Sequence, residues 1–170
     1  MITLYHGSNI AVKNINLSLC LPYRDFGQGF YLTRIKKQAE NMASTVSMDR
    51  GGNSVVSVFE FHDEMIKQQG LNLLEFHSPN LKWAQFVINN RNPEFTDFED
   101  SLSNFDFKYD IVSGPVANDK IRRLMRLYVS NLITLEALAQ RLEFIDPTSQ
   151  HSFHTQRACQ LLQFKEAYNV

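Results

Sequence analysis

The run Asp25-Phe26-Gly27-Gln28-Gly29-Phe30-Tyr31-Leu32-Thr33 sets two glycines, one residue apart, directly ahead of an aromatic, apolar strand. Glycine opens backbone conformations closed to other residues and lets a ligand come close. A turn of this kind feeding Tyr31 builds a flat wall for a flat ligand. The plainer alternative is a hairpin turn followed by a core strand.

Three larger motifs are excluded at once. Asp25-Phe26-Gly27 spells the metal-binding tripeptide of protein kinases, but the accompanying strand Lys and His-Arg-Asp loop are missing. Gly27-x-Gly29 lacks the third glycine of a dinucleotide fingerprint and enters a strand instead of a helix. The chain has no Walker loop.

Outward from this run, residues 2–6 are β-branched and aromatic and predict a strand that stops at Gly7-Ser8. Residues 9–23 lack a clear period and predict a loop. Thr33 is placed to cap a helix over 35–46, where Ala39, Met42, Ala43 and Val46 recur at helical spacing. After a turn at 50–53, residues 54–61 alternate and are rich in Val and Phe, the strongest strand signal in the chain. Residues 71–76 predict a second strand, and Ser78-Pro79 opens a helix running to Asn90. The acidic stretch 92–108 predicts a surface loop or lid. A short strand over 109–112 ends at Ser113-Gly114-Pro115. Asn118 caps a helix to 131, and 132–141 form another. Residues 150–154 predict a strand, Thr155 caps a helix through 162, and 164–167 close the chain as a strand. The sum is an α+β fold in a single domain, 1–170.

At 170 residues the chain can bury a core without metal or disulfide staples. Its 13 Phe point to an aromatic core or an aromatic-lined pocket. A net charge of -1 removes the global basic field of a dedicated nucleic-acid binder, while nucleic acid stays open as a partner. Cys20 and Cys159 have no metal-ligand spacing and fit a reducing compartment. The start lacks the basic and apolar regions of a signal peptide, and no apolar stretch reaches membrane-spanning length. The expected location is the cytoplasm, with no membrane partner.

Among the five histidines, His62 and His77 read as solvated strand ends. His151 and His154 stand three apart in a strand and face opposite ways, which argues against a shared metal site. With no His-Glu-x-x-His pair and no Cys pair, no metal is expected. His6 ends the first strand with Gly7 and Ser8 behind it. An imidazole, a glycine backbone and a hydroxyl on one strand end can grip a polar ligand; the alternative is a histidine bonded to its own loop. Asp119 follows the capping Asn118 and either matches the helix dipole or orients an acceptor; Asp110 has the same two readings. Arg91 either meets a cofactor phosphate or faces solvent or the last carbonyls of its helix.

Taken together, Leu4-Tyr5-His6-Gly7-Ser8, the Gly27–Thr33 run and Gln38-Ala39 in the helix after it resemble the ADP-ribosyltransferase superfamily. They are most similar to its poly(ADP-ribose) polymerase and diphtheria-toxin-like branch, whose triad is His-Tyr-Glu. Within that branch the chain looks like a bacterial family of small proteins. Shared stretches extend through Trp83-Ala84-x-Phe86-Val87-x-Asn89-Asn90-Arg91, Tyr109-Asp110-Ile111-Val112-x-Gly114-Pro115-Val116-Ala117-Asn118-Asp119 and Gln150-x-x-Phe153-His154-Thr155.

The resemblance implies an ADP-ribosyltransferase-like split β-sheet core with flanking helices, and NAD as co-substrate. His6 matches the histidine that bonds the adenosine ribose of NAD, with the Gly7 backbone holding the nicotinamide amide. Tyr31 matches the tyrosine that stacks on nicotinamide, Gly27 and Gly29 let the turn approach the cofactor, and Ser8 adds a polar contact. The third triad position is Gln150 where the family has Glu. An amide carries no charge and cannot act as a general base, and the cationic state through which nicotinamide leaves is better served by a carboxylate. Chain elongation is therefore not expected. Single ADP-ribose transfer, NAD glycohydrolysis and an NAD-binding module without chemistry all stay open. The plainer reading of Gln150 is a surface residue before an edge strand. NAD carries its own leaving group, so no metal is required. By family analogy the chain is a bacterial effector, or the toxin of a toxin–antitoxin pair with an antitoxin protein as partner. The acceptor is a protein side chain, a nucleic acid base or water. Segment 92–108 either gates the cleft or meets a partner.

Overall fold

The computed structural model describes residues 1–97, 102–145 and 147–170. In chain order its elements begin with β1 (Ile2–Ser8), a short 3-10 helix at Leu17–Leu19, β2 (Phe30–Leu32), α1 (Lys36–Arg50), β3 (Val55–Phe61), α2 (Met65–Gln68) and β4 (Leu73–Glu75). They continue with α3 (Leu81–Arg91), β5 (Ile111–Pro115), α4 (Asp119–Val129), α5 (Leu135–Glu143), β6 (Ser149–Phe153), α6 (Gln156–Cys159) and β7 (Leu162–Asn169). The fold is α+β with two sheets.

The first sheet has the order β1-β3-β7, the second β2-β6-β5-β4. Among the described residues only β4 and β5 run parallel, and α3 lies in the connection between them. The sheets touch edge to edge at one bridge, where Tyr5 N–H donates to the Thr33 carbonyl at 2.8 Å and Thr33 N–H to that of Tyr5 at 3.0 Å.

Side-chain alternation sorts the core into layers. Leu4, Phe59 and Phe61 of the first sheet pack against Phe30, Leu32, Ile111 and Phe153 of the second. The other face of the second sheet carries Val112 and is covered by Trp83, Phe86, Ile121, Met125, Leu138 and Leu142 of α3, α4 and α5. Ala39 and Ala43 of α1 cover Val56 on the outer face of the first sheet. Residues of β3 are therefore buried on both faces, although their sequence alternates like a half-buried strand.

Several local boundaries move for physical reasons. Thr33 does not cap α1. Its hydroxyl takes the Ile35 N–H at 3.1 Å and donates to Gln38 at 2.9 Å, and the helix runs on to Arg50. Asn80, not Ser78, caps α3: its Oδ1 accepts the Trp83 N–H at 2.9 Å. Asn131 takes φ 56, which adds a turn and lets Thr134 cap α5. Ser113 and Gly114 lie inside β5, which starts at Ile111 and ends at Pro115. The helix capped by Thr155 stops at Cys159; Gln160 and Leu161 form a turn and Leu162 begins β7. The helix α2 has no counterpart in the sequence expectation. Within 92–108, Ser103 and Asn104 are buried and Asn104 bonds both Asn90 and Tyr109, so this part is tucked under instead of lying on the surface. Residues 98–101 of that stretch lie outside the described residues. Among the described residues no helix is long and apolar enough to cross a membrane.

Candidate functional site

His6 and Tyr31 lie on the two strand edges that meet at the bridge. His6 Nδ1 is 2.8 Å from the Tyr31 carbonyl oxygen. A carbonyl only accepts, so Nδ1 carries the proton and Nε2 keeps its lone pair. Burial pushes the His6 pKa down, against the pull of that carbonyl, so the ring is neutral at pH 7. Its face lies 4.3 Å from the Phe30 ring, centroid to centroid.

Gly7 has one backbone edge to itself. Antiparallel pairing sends successive residues' N–H and C=O to opposite sides. Tyr5 sends its pair to Thr33, so Gly7 sends its own to the same side, away from β3 and toward the gap between the sheets. Among the described residues neither Gly7 group is in a hydrogen bond outside its sheet. A side chain here is barred by α1, because a Cβ would lie 2.0 Å from the Ala39 carbonyl oxygen. Ser8 turns to its neighbour Asn9 at 3.5 Å.

Tyr31 is held from the turn before it. Its hydroxyl accepts the Phe26 N–H at 3.0 Å and donates to the Gly27 carbonyl at 2.7 Å. Burial, reinforced by the Asp25 charge, keeps the phenol protonated well above its usual range. The ring is thus fixed, not swinging at a loop edge. Gly27 takes φ 90, which a side chain resists. Gly29 leaves room for His154, whose Nδ1 would lie 2.7 Å from a Cβ there. Replacing Tyr31 by Phe strips partners from one donor and one acceptor and is expected to cost about 2 kcal/mol in urea unfolding.

Gln150 is the second residue of β6, an interior strand, and pairs in register with Gly114. This corrects the reading of a surface residue before an edge strand. Its side chain shares a face with Ser152, the register partner of Tyr31. Gln150 Nε2 donates to Asp25 Oδ2 at 3.0 Å. Asp25 is 7% exposed. It also accepts the Ala117 N–H at 2.9 Å and pairs with the Arg91 guanidinium. Arg91, partly exposed, therefore directs its charge to Asp25 and not to its own helix carbonyls.

Sequence reasoning gives Asp25 no role beyond opening the glycine-rich run and spelling part of a rejected tripeptide. The available signal was a carboxylate at the head of an apolar, glycine-rich run, directly after Arg24. It also missed Asn90, whose Oδ1 takes the Asn104 N–H at 2.9 Å and lies 3.1 Å from where a Gly27 Cβ would be. Asp110 is structural, accepting from Asn72 N–H at 2.9 Å and the Thr155 hydroxyl at 2.6 Å. Asp119 is exposed and pairs with Arg122 behind the Asn118 cap, which is the helix-terminus reading. His62 meets Glu64 at 3.2 Å, and His77 is exposed. His151 and His154 are buried with separate partners, Arg34 for the first and Gln28 and Ser152 for the second. Among the described residues no three His, Cys, Asp or Glu side chains cluster as a metal site would require.

Two cavities lie beside this arrangement. A groove of about 1000 Å³ is bounded by Pro115 and Ser149, the neighbours of Gly114 and Gln150, and by Leu142 and Phe144. A smaller one of about 220 Å³ is lined by Leu17, Gln28, Phe107 and His154. Neither has His6, Tyr31 or Gln150 in its wall.

No curated protein matches this chain, and no solved structure does. A family model described as a protein of unknown function, DUF3990, matches residues 2–164, nearly the whole sequence. The chain belongs to the DUF3990 family.

Proposed function

We propose that this protein is an NAD-dependent mono-ADP-ribosyltransferase with a split-sheet core of the ADP-ribosyltransferase kind. The observation that carries the reading is the junction of β1 and β2. There, one strand edge offers the free Gly7 backbone and the His6 imidazole, whose Nδ1 stands 2.8 Å from the Tyr31 carbonyl oxygen. Bound NAD supplies a nicotinamide leaving group on a ribose carbon that a nucleophile of the acceptor then takes. The residues supply binding and orientation. Gly7 N–H and C=O match the two ends of a carboxamide, the Tyr31 ring offers a fixed aromatic wall, and neutral His6 offers Nε2 to a ribose hydroxyl. Gln150 offers a neutral oxygen where a carboxylate would stabilise cationic charge more strongly.

The Gln150 amide, already bonded to Asp25, favours one second reading: a module that binds NAD without splitting it. Nicotinamide release by the purified protein, with and without cell lysate, separates the two when run beside calorimetry with NAD. The transferase reading expects release that needs lysate and falls about a hundredfold in His6→Ala and Tyr31→Ala proteins that remain folded. Binding without release under any condition supports the module. An absence of NAD binding sinks both.

A further inference from the structure

Segments far apart in the chain converge on the Asp25 carboxylate. Arg91 reaches it from the end of α3, the Ala117 N–H from the turn before α4, and Gln150 Nε2 from β6. All three are donors. A carboxylate only accepts, so the Gln150 amide is held with its NH2 toward Asp25 and its Oε1 at the opposite corner. Among the described residues no group bonds that oxygen. The two residues after Asp25 meanwhile grip the Tyr31 hydroxyl through the Phe26 N–H and the Gly27 carbonyl. One short turn therefore orients two of the three side chains at the strand junction.

We propose that Asp25 is a positioning residue that locks the Gln150 amide so that Oε1 is the atom offered to the ligand. On the reading that the site takes NAD, on which this inference rests, the third triad position is a neutral acceptor for a ligand hydroxyl. The negative charge sits one side chain further back, already paired with Arg91. The site then selects a nucleotide that presents a ribose hydroxyl at Gln150 and gains nothing from a general base there.

The lock is tested without any nucleotide. The side-chain NH2 resonances of Gln150 in 15N-labelled protein, assigned by their loss in Gln150→Ala, are expected to shift in Asp25→Asn. Unmoved resonances in a folded Asp25→Asn protein overturn the lock. Calorimetry with NAD then tests its role. Asp25→Asn is expected to weaken binding about tenfold in the wild-type background and not at all in the Gln150→Ala background. An equal loss in both backgrounds means a merely structural Asp25 and overturns the proposal.

Should Asp25→Asn fail to fold, Gln150→Glu carries the test with Asp25 untouched. Two carboxyls at hydrogen-bond distance do not both stay ionised. The facing groups are the Arg91 guanidinium, paired with Asp25, and the Tyr31 phenol, which burial keeps protonated well above its usual range. NAD affinity of Gln150→Glu is therefore expected to fall as pH rises from about 5 to about 8, and a flat profile overturns the lock. A wild-type protein that binds no NAD refutes the NAD reading, and the amide resonances still decide whether Asp25 holds Gln150.

Discussion

Lowering the pH from about 7.5 to 5 is expected to remove about 4 kcal/mol of folding stability, in two nearly equal parts from His151 and His154. His151 is 7% exposed, and the Arg34 Nε–H donates to its Nε2 at 3.2 Å. That nitrogen must present a lone pair, so the ring is neutral as folded. Burial first, and the Arg34 charge second, lower its pKa to about 4, with Asp63 pulling the other way. His154 is 4% exposed. Burial lowers it to about 4 as well, against the Gln28 carbonyl and Asp110. An unfolded histidine titrates near 6.5, so between about 6.5 and 4 the unfolded chain holds more protons and stability rises with pH. The contribution is complete above the unfolded value and is lost as pH falls. Each ring costs ~2 kcal/mol by pH 5 and ~3 kcal/mol by pH 4. Urea unfolding at several pH values measures the slope. His151→Gln keeps an acceptor for Arg34 and removes its titration, so it is expected to take about 2 kcal/mol out of the fall. A full slope in that variant would assign the proton uptake elsewhere.

Gly7→Ala is expected to cost about 3 kcal/mol, the upper end for overpacking a core. The new methyl would stand 2.0 Å from the Ala39 oxygen and 2.7 Å from the Ala43 nitrogen. Both are backbone atoms of α1, so no side chain can rotate away and the whole helix must move off β1. Because α1 follows β2 directly, the same movement disturbs the β1–β2 junction, so ligand binding is expected to fall with stability. Thermal and urea unfolding measure the first effect, and a loss under about 1 kcal/mol would mean that α1 shifts easily.

Elements whose signals are local were legible in the sequence. The Val- and Phe-rich segment 54–61, the cap at Asn118 and the cap at Thr155 are written in neighbouring residues, and all three form. Competition between adjacent signals hid the start of α3, where Ser78 and Asn80 are both capping types and only the second finds an amide. The strand at Gln150 was legible, but its interior place was not, because its partners come from residues 30–32 and 111–115. The candidate site divides in the same way. His6 and Tyr31 were singled out from their local settings, and the bond that joins them spans 25 positions. Asp25 was passed over because its partners lie 66, 92 and 125 positions away, and nothing beside it in the chain announces them.

The place of β3 at the centre of the first sheet has a consequence for the order of folding. Its partner on one side, β1, is made before it, but its partner on the other, β7, follows about a hundred residues later, a high-separation pairing of the kind that slows two-state folding. Until β7 emerges from the ribosome, a strand of Val55, Val56, Val58, Phe59 and Phe61 has one edge bare, the pattern that invites pairing with another chain. The first sheet is thus begun before the second and closed after it.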